Sequence, residues 1–318
     1  MRVVVIGGGS WGTAFAVLLA ARGHETTLAC RDSEQVRAIA KTARNPRYVT
    51  TASLEGITAT TIGDAPVAEA DLAVLAVPSS AFADVVRALP GSCPVLSLTK
   101  GLDPATGNRL STLVTGRPVA CLSGPNFAEE IAAGLPAATV IASEDETLAV
   151  HLQEAINSPT FRVYVNTDMV GVEFCGAAKN VIALAAGGVD GLGLGDNGKA
   201  GVITRGVAEM ARLGQAAGAR VETFAGLAGM GDLMVTCWSR LGRNRRAGEL
   251  IAKGRTPADA AAEIGQVVEG LTTAPVLRDL ARRLGIELPI TSAVCAVLEG
   301  QSLHELVASI MGRRPKAE

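Results

Sequence analysis

Gly7-Gly8-Gly9-Ser10-Trp11-Gly12 follows the apolar run Val3–Ile6 and leads into another apolar stretch, Thr13–Ala21. Gly7, Gly9 and Gly12 fill the glycine positions of G-x-G-x-x-G. The first missing side chain permits a tight turn, the second lets a pyrophosphate touch backbone, and the third lets helix pack on strand. Free N–H groups at the helix start then face the phosphates. The hexapeptide in this context predicts a dinucleotide site. Its adenosine end is read where the second apolar run, Thr26–Cys30, meets Arg31-Asp32. An Arg there pairs with a 2′-phosphate, which favours NADP, whereas the adjacent Asp suits the ribose 2′-hydroxyl of NAD. Both cofactors stay open, as does a plain solvated loop pair.

Proton chemistry is the second need of a dinucleotide enzyme. His24, His151 and His304 are the only histidines; none stands in a pattern that favours catalysis, and all three read as core or surface residues. Lys179 is different. Cys175, Gly176, Ile182 and Ala183 lie one helical turn to either side of it. Neighbours so small and apolar bury the stem and crowd the ammonium out of water, which favours a lowered pKa and a proton that can leave. A lysine snorkelling from the end of a core helix fits the same pattern. Further on, the glycines in Gly226–Gly231 precede Asp232, which suggests backbone approaching a small ligand with Asp232 placed to hold an ammonium. Arg243 and Asn244 stand just before a helix expected at Arg245–Lys253. Fixed N–H groups and a guanidinium fork at a helix start make a receptor for a phosphate dianion; a solvated basic helix start is the competing reading.

The elements that must hold these groups follow from patterning. Up to about Asn166, short runs of Val, Ile and Leu alternate with Ala-rich stretches: Val3–Ile6, Thr26–Cys30, Leu72–Val77, Val95–Leu98, Val119–Leu122 and Ala138–Ile141. Continuous apolar strands separated by helices predict a parallel sheet covered on both faces. From Thr167 the strand signals cease. Helices are expected at Asp168–Ala186, Lys199–Gly214, Arg245–Lys253, Pro257–Gly265, Thr272–Leu284, Ser292–Glu299 and Ser302–Met311, before a short polar tail, Arg313–Glu318. In the second of these, Ile203, Val207 and Met210 form the apolar face, with Thr204, Arg205, Glu209 and Arg212 on the others. The fold class is therefore α/β: a Rossmann-type doubly wound parallel sheet over residues 1–166, followed by an all-α C-terminal domain over residues 167–318.

Composition agrees. Hydrophobic residues make up 48% and charged residues 19% of 318 residues, ample for a dry core. Aromatics are only 3% against 36 glycines, which suits close-packed α/β layers better than a sandwich. With 29 Lys plus Arg against 31 Asp plus Glu, the chain lacks the broad basic surface of a nucleic-acid or membrane binder. Its six cysteines include no Cys-x-x-Cys pair, so no metal site or disulfide framework is expected. No uncharged apolar run approaches the ~18 residues of a membrane span, and a strand at the very start leaves no signal segment; both point to the cytoplasm.

Several spaced motifs occur in one order: Gly7–Gly12, Ser97–Leu102, Ser123–Ala128, Ala178-Lys179-Asn180, Gly229–Thr236, Gly242–Arg245 and Val267–Gly270. In these the chain resembles the bacterial NAD(P)-dependent glycerol-3-phosphate dehydrogenases over nearly its whole length. The resemblance implies reversible reduction of dihydroxyacetone phosphate to sn-glycerol 3-phosphate, which supplies glycerophospholipid synthesis, with NADP or NAD as cofactor. It implies Lys179 as proton donor and acceptor, Lys100 polarising the carbonyl oxygen and Asp232 orienting the Lys179 ammonium. Lys100, Gly124, Asn126, Lys179, Asn180, Asp232, Thr236, Gly242, Arg243 and Asn244 would line the substrate. Gly7, Gly9, Ser10, Trp11, Gly12, Arg31, Lys100, Ala128, Arg243, Val267 and Glu269 would touch the dinucleotide. The family pattern has Ser where Gly242 stands, so any contact there falls to backbone.

Two other readings are carried forward. A β-hydroxyacid dehydrogenase of similar build also uses a lysine in the first helix after the Rossmann unit, although it separates its Lys and Asn by a helical turn. A non-catalytic dinucleotide-binding regulator would keep the fold without turnover. The partners expected are a small phosphorylated molecule and, through an exposed apolar face on the C-terminal helices, a second copy of the chain.

Overall fold

The structure is a computed structural model that describes residues 1–311; the expected polar tail Arg313–Glu318 lies outside the described residues. Eight strands form one sheet: β1 (Arg2–Ile6), β2 (Glu25–Cys30), β3 (Thr58–Thr61), β4 (Leu72–Leu75), β5 (Val95–Ser97), β6 (Val119–Ser123), β7 (Ala137–Ala142) and β8 (Phe161–Asn166), in the order β3-β2-β1-β4-β5-β6-β7-β8. Successive side chains of a strand face opposite ways. Val3 and Val5 of β1 accordingly enter a core with Phe15, Leu19, Leu28 and Phe161, while Val4 and Ile6 join Phe82, Leu75 and Leu110 on the other face.

Five helices accompany the strands: α1 (Ser10–Ala21), α2 (Ser33–Thr42), α3 (Ser79–Ala88), α4 (Ala128–Ala132) and α5 (Glu146–Ile156). The sequence predicts a wholly parallel sheet, and the structure departs from it at one pair. β6 and β7 pair antiparallel, with Leu122 opposite Ile141. The connecting α4 is only 5 residues long and packs on α1. It does not carry the chain across a face of the sheet, so β7 returns from the edge that β6 has just reached. Two strands escape the sequence pattern. β3 is four residues of Thr and Ala at the sheet edge, and β8 exposes alternate residues, Arg162 and Tyr164.

After Asp168 the described residues are helical: α6 (Met169–Gly191), α7 (Gly195–Ala216), α8 (Glu222–Ala225), α9 (Asp232–Trp238), α10 (Arg243–Ala252), α11 (Pro257–Ile264), α12 (Glu269–Leu284), α13 (Pro289–Leu298) and α14 (Leu303–Met311), with a π-helical turn at Leu227–Gly231. Asp168 caps α6, its Oδ1 accepting from the Gly171 N–H at 2.9 Å. By length and mean hydropathy, 1.4 in its most apolar window, α6 would suit a bilayer, but 89% of that window is buried inside the protein. It is the central helix of the second core. α10 crosses it at backbone contact: a Cβ at Gly187 would lie 1.8 Å from the Arg245 carbonyl oxygen, and one at Gly248 2.0 Å from that of Leu184. Glycine is required on both sides.

Buried carboxylates pin α6 and α7 to their surroundings. Glu173 accepts from Arg109 at 2.8 Å and from the N–H and hydroxyl of Ser111 at 2.9 and 2.6 Å, tying α6 to the segment after β5. Glu209 is not on a solvated face of α7 as its spacing suggested. It is buried and accepts from the N–H groups of Ile290 and Thr291, capping the start of α13 from a neighbouring helix.

Candidate active site

β5 and β6 end side by side, and the segments that follow them carry Lys100 and Gly124 toward α6. Gly176, less than one turn before Lys179, faces the Lys100 stem: a Cβ there would be in ordinary contact with it at 3.5 Å. Lys100 Nζ donates to the Gly124 carbonyl at 3.0 Å and to Asp232 Oδ2 at 2.6 Å. From the helical side, Lys179 Nζ donates to Asp232 Oδ1 at 2.5 Å and to Thr236 Oγ1 at 2.9 Å. Thr236 lies one turn after Asp232 on α9 and gives its own proton to the Asp232 carbonyl at 2.6 Å, so its oxygen is left to accept from Lys179.

Two ammonium groups thus share one carboxylate. Asp232 is 1% and Lys179 6% exposed, so water does little to spread the excess positive charge. Burial pulls the Lys179 pKa down, Asp232 only partly opposes it, and the neighbouring Lys100 adds to the pull. The amine settles at about 8 instead of 10.5. Burial pushes Asp232 the other way, but Lys100 and Lys179 outweigh it and hold the carboxyl below its ordinary value. The result is a cation that releases a proton near neutral pH, a carboxylate that stays charged and a second cation alongside. Such a set can protonate an oxygen while stabilising the negative charge that gathers on it.

A second group runs along α10 and α12. Asn244 Nδ2 donates to Asn180 Oδ1 at 2.8 Å, Asn180 Nδ2 donates to the Gly176 carbonyl at 3.2 Å, and Asn244 Oδ1 accepts from the Gly270 N–H at 2.9 Å. The two amides brace α6, α10 and α12. Arg243, exposed, donates to the Val267 carbonyl at 2.9 Å. Arg243 and Asn244 lie within the first turn of α10, which begins earlier than the Arg245 expected, because Gly242 lets the chain start its helix hard against α9. A Cβ at Gly242 would sit 2.6 Å from the Thr236 carbonyl oxygen. One of the glycines before Asp232 also differs from expectation. Gly229 faces no ligand space: a Cβ there would lie 2.2 Å from the Phe224 carbonyl oxygen, so it serves packing of the π-helical turn.

The remaining expected residues are dispersed. Asn126 donates to Thr139 Oγ1 at 2.9 Å, and its Oδ1 is buried without a partner. Ala128 opens α4. Glu269 reaches across to the sheet half and accepts from the N–H and hydroxyl of Ser79 at 3.1 and 2.6 Å, the start of α3. Sequence reasoning missed Ser79 and Thr139, and it placed Ser123 in a motif without giving it a role. The Thr139 hydroxyl donates to the Ser123 carbonyl at 3.1 Å and holds Asn126. Of these, only Pro78-Ser79 at the end of a strand carried a local sign, that of a helix start.

The glycine turn tests whether a dinucleotide fits. Gly7 has φ 119°, and a Cβ there would be 2.4 Å from the Ala76 carbonyl oxygen; one at Gly12 would be 1.9 Å from that of Gly7. The chain itself demands these two glycines. At Gly9 a Cβ would meet no atom within 4 Å. Nothing in the protein needs that position bare, but a pyrophosphate resting on backbone at the start of α1 does. Ser10 and Trp11 open that helix, and the buried Trp11 Nε1 has no partner. Arg31, at the end of β2, is exposed. Among the described residues no group of three His, Cys, Asp or Glu side chains is placed to hold a metal ion.

Comparison with known proteins gives this geometry a family. Residues 2–149 match the N-terminal and residues 168–308 the C-terminal profile of NAD-dependent glycerol-3-phosphate dehydrogenase. The chain is 46% identical over 320 residues to the NAD(P)+ glycerol-3-phosphate dehydrogenase of Moorella thermoacetica, spanning 98% of this chain and 96% of that one. To its counterpart in Xanthomonas campestris pv. campestris it is 43% identical over 328 residues, spanning 100% and 96%. The crystal structure of glycerol-3-phosphate dehydrogenase from Coxiella burnetii matches with a TM-score of 0.93 at 36% identity, covering 98% of this chain and 99% of that one. With both halves matched, with the glycine turn built for a dinucleotide and with a labile amine at the junction of the halves, the chain belongs to the NAD-dependent glycerol-3-phosphate dehydrogenase family.

Proposed function

We propose that this chain reduces dihydroxyacetone phosphate to sn-glycerol 3-phosphate and runs the reverse oxidation, feeding glycerophospholipid synthesis. The observation that carries the reading is the Lys179–Asp232–Lys100 arrangement, in a chain that is an oxidoreductase by family. The dinucleotide-binding domain, residues 1–166, holds the cofactor at Gly7, Gly9, Ser10, Trp11, Gly12 and Arg31, and the helical domain, residues 167–318, closes on it with Arg243, Val267 and Glu269. Bound NADH or NADPH supplies the hydride that goes to C2 of the ketone.

The protein's part is proton transfer and placement. As the ketone oxygen gathers charge, Lys179 Nζ gives it a proton and Asp232 keeps the amine aimed. Lys100 shares the developing negative charge from the sheet side. Arg243 and Asn244 grip the phosphate remote from C2, so that binding energy spent there fixes the position of the carbonyl. In oxidation the neutral Lys179 amine takes the proton of the alcohol. We place the protein in the cytoplasm as a homodimer; Met230 in the π-helical turn and Met234 and Trp238 on α9, all exposed, offer an apolar contact for a second copy.

Nicotinamide absorbance tests the reading. Oxidation of NADPH or NADH is expected on adding dihydroxyacetone phosphate. Turnover with an unphosphorylated 3-oxo acid alone would mark a β-hydroxyacid dehydrogenase, and no turnover with either would mark a binding protein that has lost catalysis.

A further inference from the structure

A loop beyond α2 bears on the cofactor site in a way that Arg31 alone does not. Asn45 is 1% exposed and bonds at both ends of its amide. Its Nδ2 donates to the Gly8 carbonyl at 3.1 Å and to Thr13 Oγ1 at 2.8 Å, while its Oδ1 accepts from the N–H groups of Arg47 at 3.0 Å and Tyr48 at 3.2 Å. One buried side chain therefore ties this loop to the dinucleotide turn and fixes where Arg47 begins. Arg47 then reaches the end of β2, with Nη1 3.4 Å from Asp32 Oδ2. The other oxygen of Asp32 is also engaged: Oδ1 accepts from the Glu34 N–H at 2.8 Å, capping α2.

Asp32 is the acidic group at the position where NAD-binding turns hold the ribose 2′-hydroxyl. Here a helix start holds one of its oxygens and a guanidinium holds the other. We propose that Arg47 is a specificity-determining residue for the cofactor. It joins Arg31 in receiving the 2′-phosphate of NADPH, and it neutralises the carboxylate that NADH would use. The inference rests on the dinucleotide reading given under Proposed function and adds to it a residue and a preference. The Arg47–Asp32 pair is solvent-exposed, with side chains 63% and 33% accessible. An exposed pair at that separation is weak. A phosphate dianion accepts a guanidinium fork far better than a shared carboxylate oxygen does, so Arg47 can turn from Asp32 to the phosphate at little cost. Asn45 keeps the loop, and so the arm, in reach throughout.

The test reads binding by calorimetry on the full chain, with 2′,5′-ADP against 5′-AMP and NADPH against NADH. Arg47→Gln is expected to shift the preference away from the 2′-phosphorylated member of each pair by about tenfold or more. Arg47→Lys, which keeps the charge but not the fork, should shift it less. Asp32→Asn, still a good helix cap, should move the preference toward NADPH, because a negative charge beside the phosphate has gone. An Arg47→Gln preference within twofold of wild type overturns the proposal. So does an equal loss for both members of each pair, which would make the loop a scaffold without selectivity. Wild-type protein that binds none of the four would overturn the dinucleotide reading itself. Failure to reduce dihydroxyacetone phosphate, in contrast, would strike the substrate reading without touching these binding ratios.

Discussion

Asp232 and Asp190, both in the helical half, each hold two cations, and only Asp232 is built to move a proton. Asp190, at the end of α6, takes Lys199 Nζ on Oδ1 at 2.5 Å and the Arg245 guanidinium on Oδ2. Arg245 cannot lose its proton. It is also held by the Ser239 carbonyl at 3.2 Å and by Glu249 at 3.1 Å, and Lys199 lies under the Trp238 ring, 5.1 Å from its centroid. That cluster joins α6, α7 and α10. Asp232 is deeper, its partners are both amines, and they come from the two halves of the chain. Two cations on one carboxylate therefore make a clamp where Glu249 supplies a second negative charge and a proton donor where none does. The difference lies in burial, in the choice of lysine over arginine and in an uncompensated positive charge.

Mutations that separate the two clusters sharpen this contrast. Lys179→Met removes the donor and leaves Lys100 on Asp232; kcat should fall about 10³-fold, within the range for lost acid–base catalysis, while calorimetry still detects NADPH binding. Asp190→Ala leaves two cations without their shared partner and should cost about 3 kcal/mol of stability in denaturant unfolding, with turnover per folded molecule within a few-fold of wild type. If Asp190→Ala abolished turnover in a fully stable protein, the contrast would be broken. Thr236→Val takes one acceptor from the Lys179 ammonium. It should lower the amine's pKa further and reduce kcat by roughly tenfold, the smallest of these effects, read as a downward displacement of the pH profile.

Legibility in the sequence followed the range of the interactions. Gly7, Gly9 and Gly12 could be read because strand, turn and helix are contiguous, and the structure even divides their uses, with two required by the chain and Gly9 left open. Lys179 stood out because its helix neighbours are local and small. Long-range features gave no such sign. The Asp232 carboxylate meets Lys100 across 132 residues of sequence and Ser79 meets Glu269 across 190, and no window of chain contains both partners. Asn45 is an ordinary loop residue until the fold sets it on Gly8. The antiparallel turn-back at β7 and the thin strand β3 were hidden for a related reason: pairing direction and edge position are decided by the rest of the sheet. Gly229 misled in the opposite sense, since a glycine packed on its own chain reads in sequence like one facing a ligand.

The central claim, that Lys179 carries a labile proton into the reaction, is tested most directly by kcat/KM against pH in both directions, since kcat/KM reports the free enzyme. Reduction needs the ammonium, and with a pKa of about 8 its charged fraction is lost as pH rises through that value; kcat/KM for reduction should be level below and fall about tenfold per unit above. Oxidation needs the free amine and should show the mirror image, falling as pH drops below 8. Asp232, held below the usual carboxylate range, should add no break in this window. Profiles that rise and fall together, or that run flat through pH 8, would contradict the account.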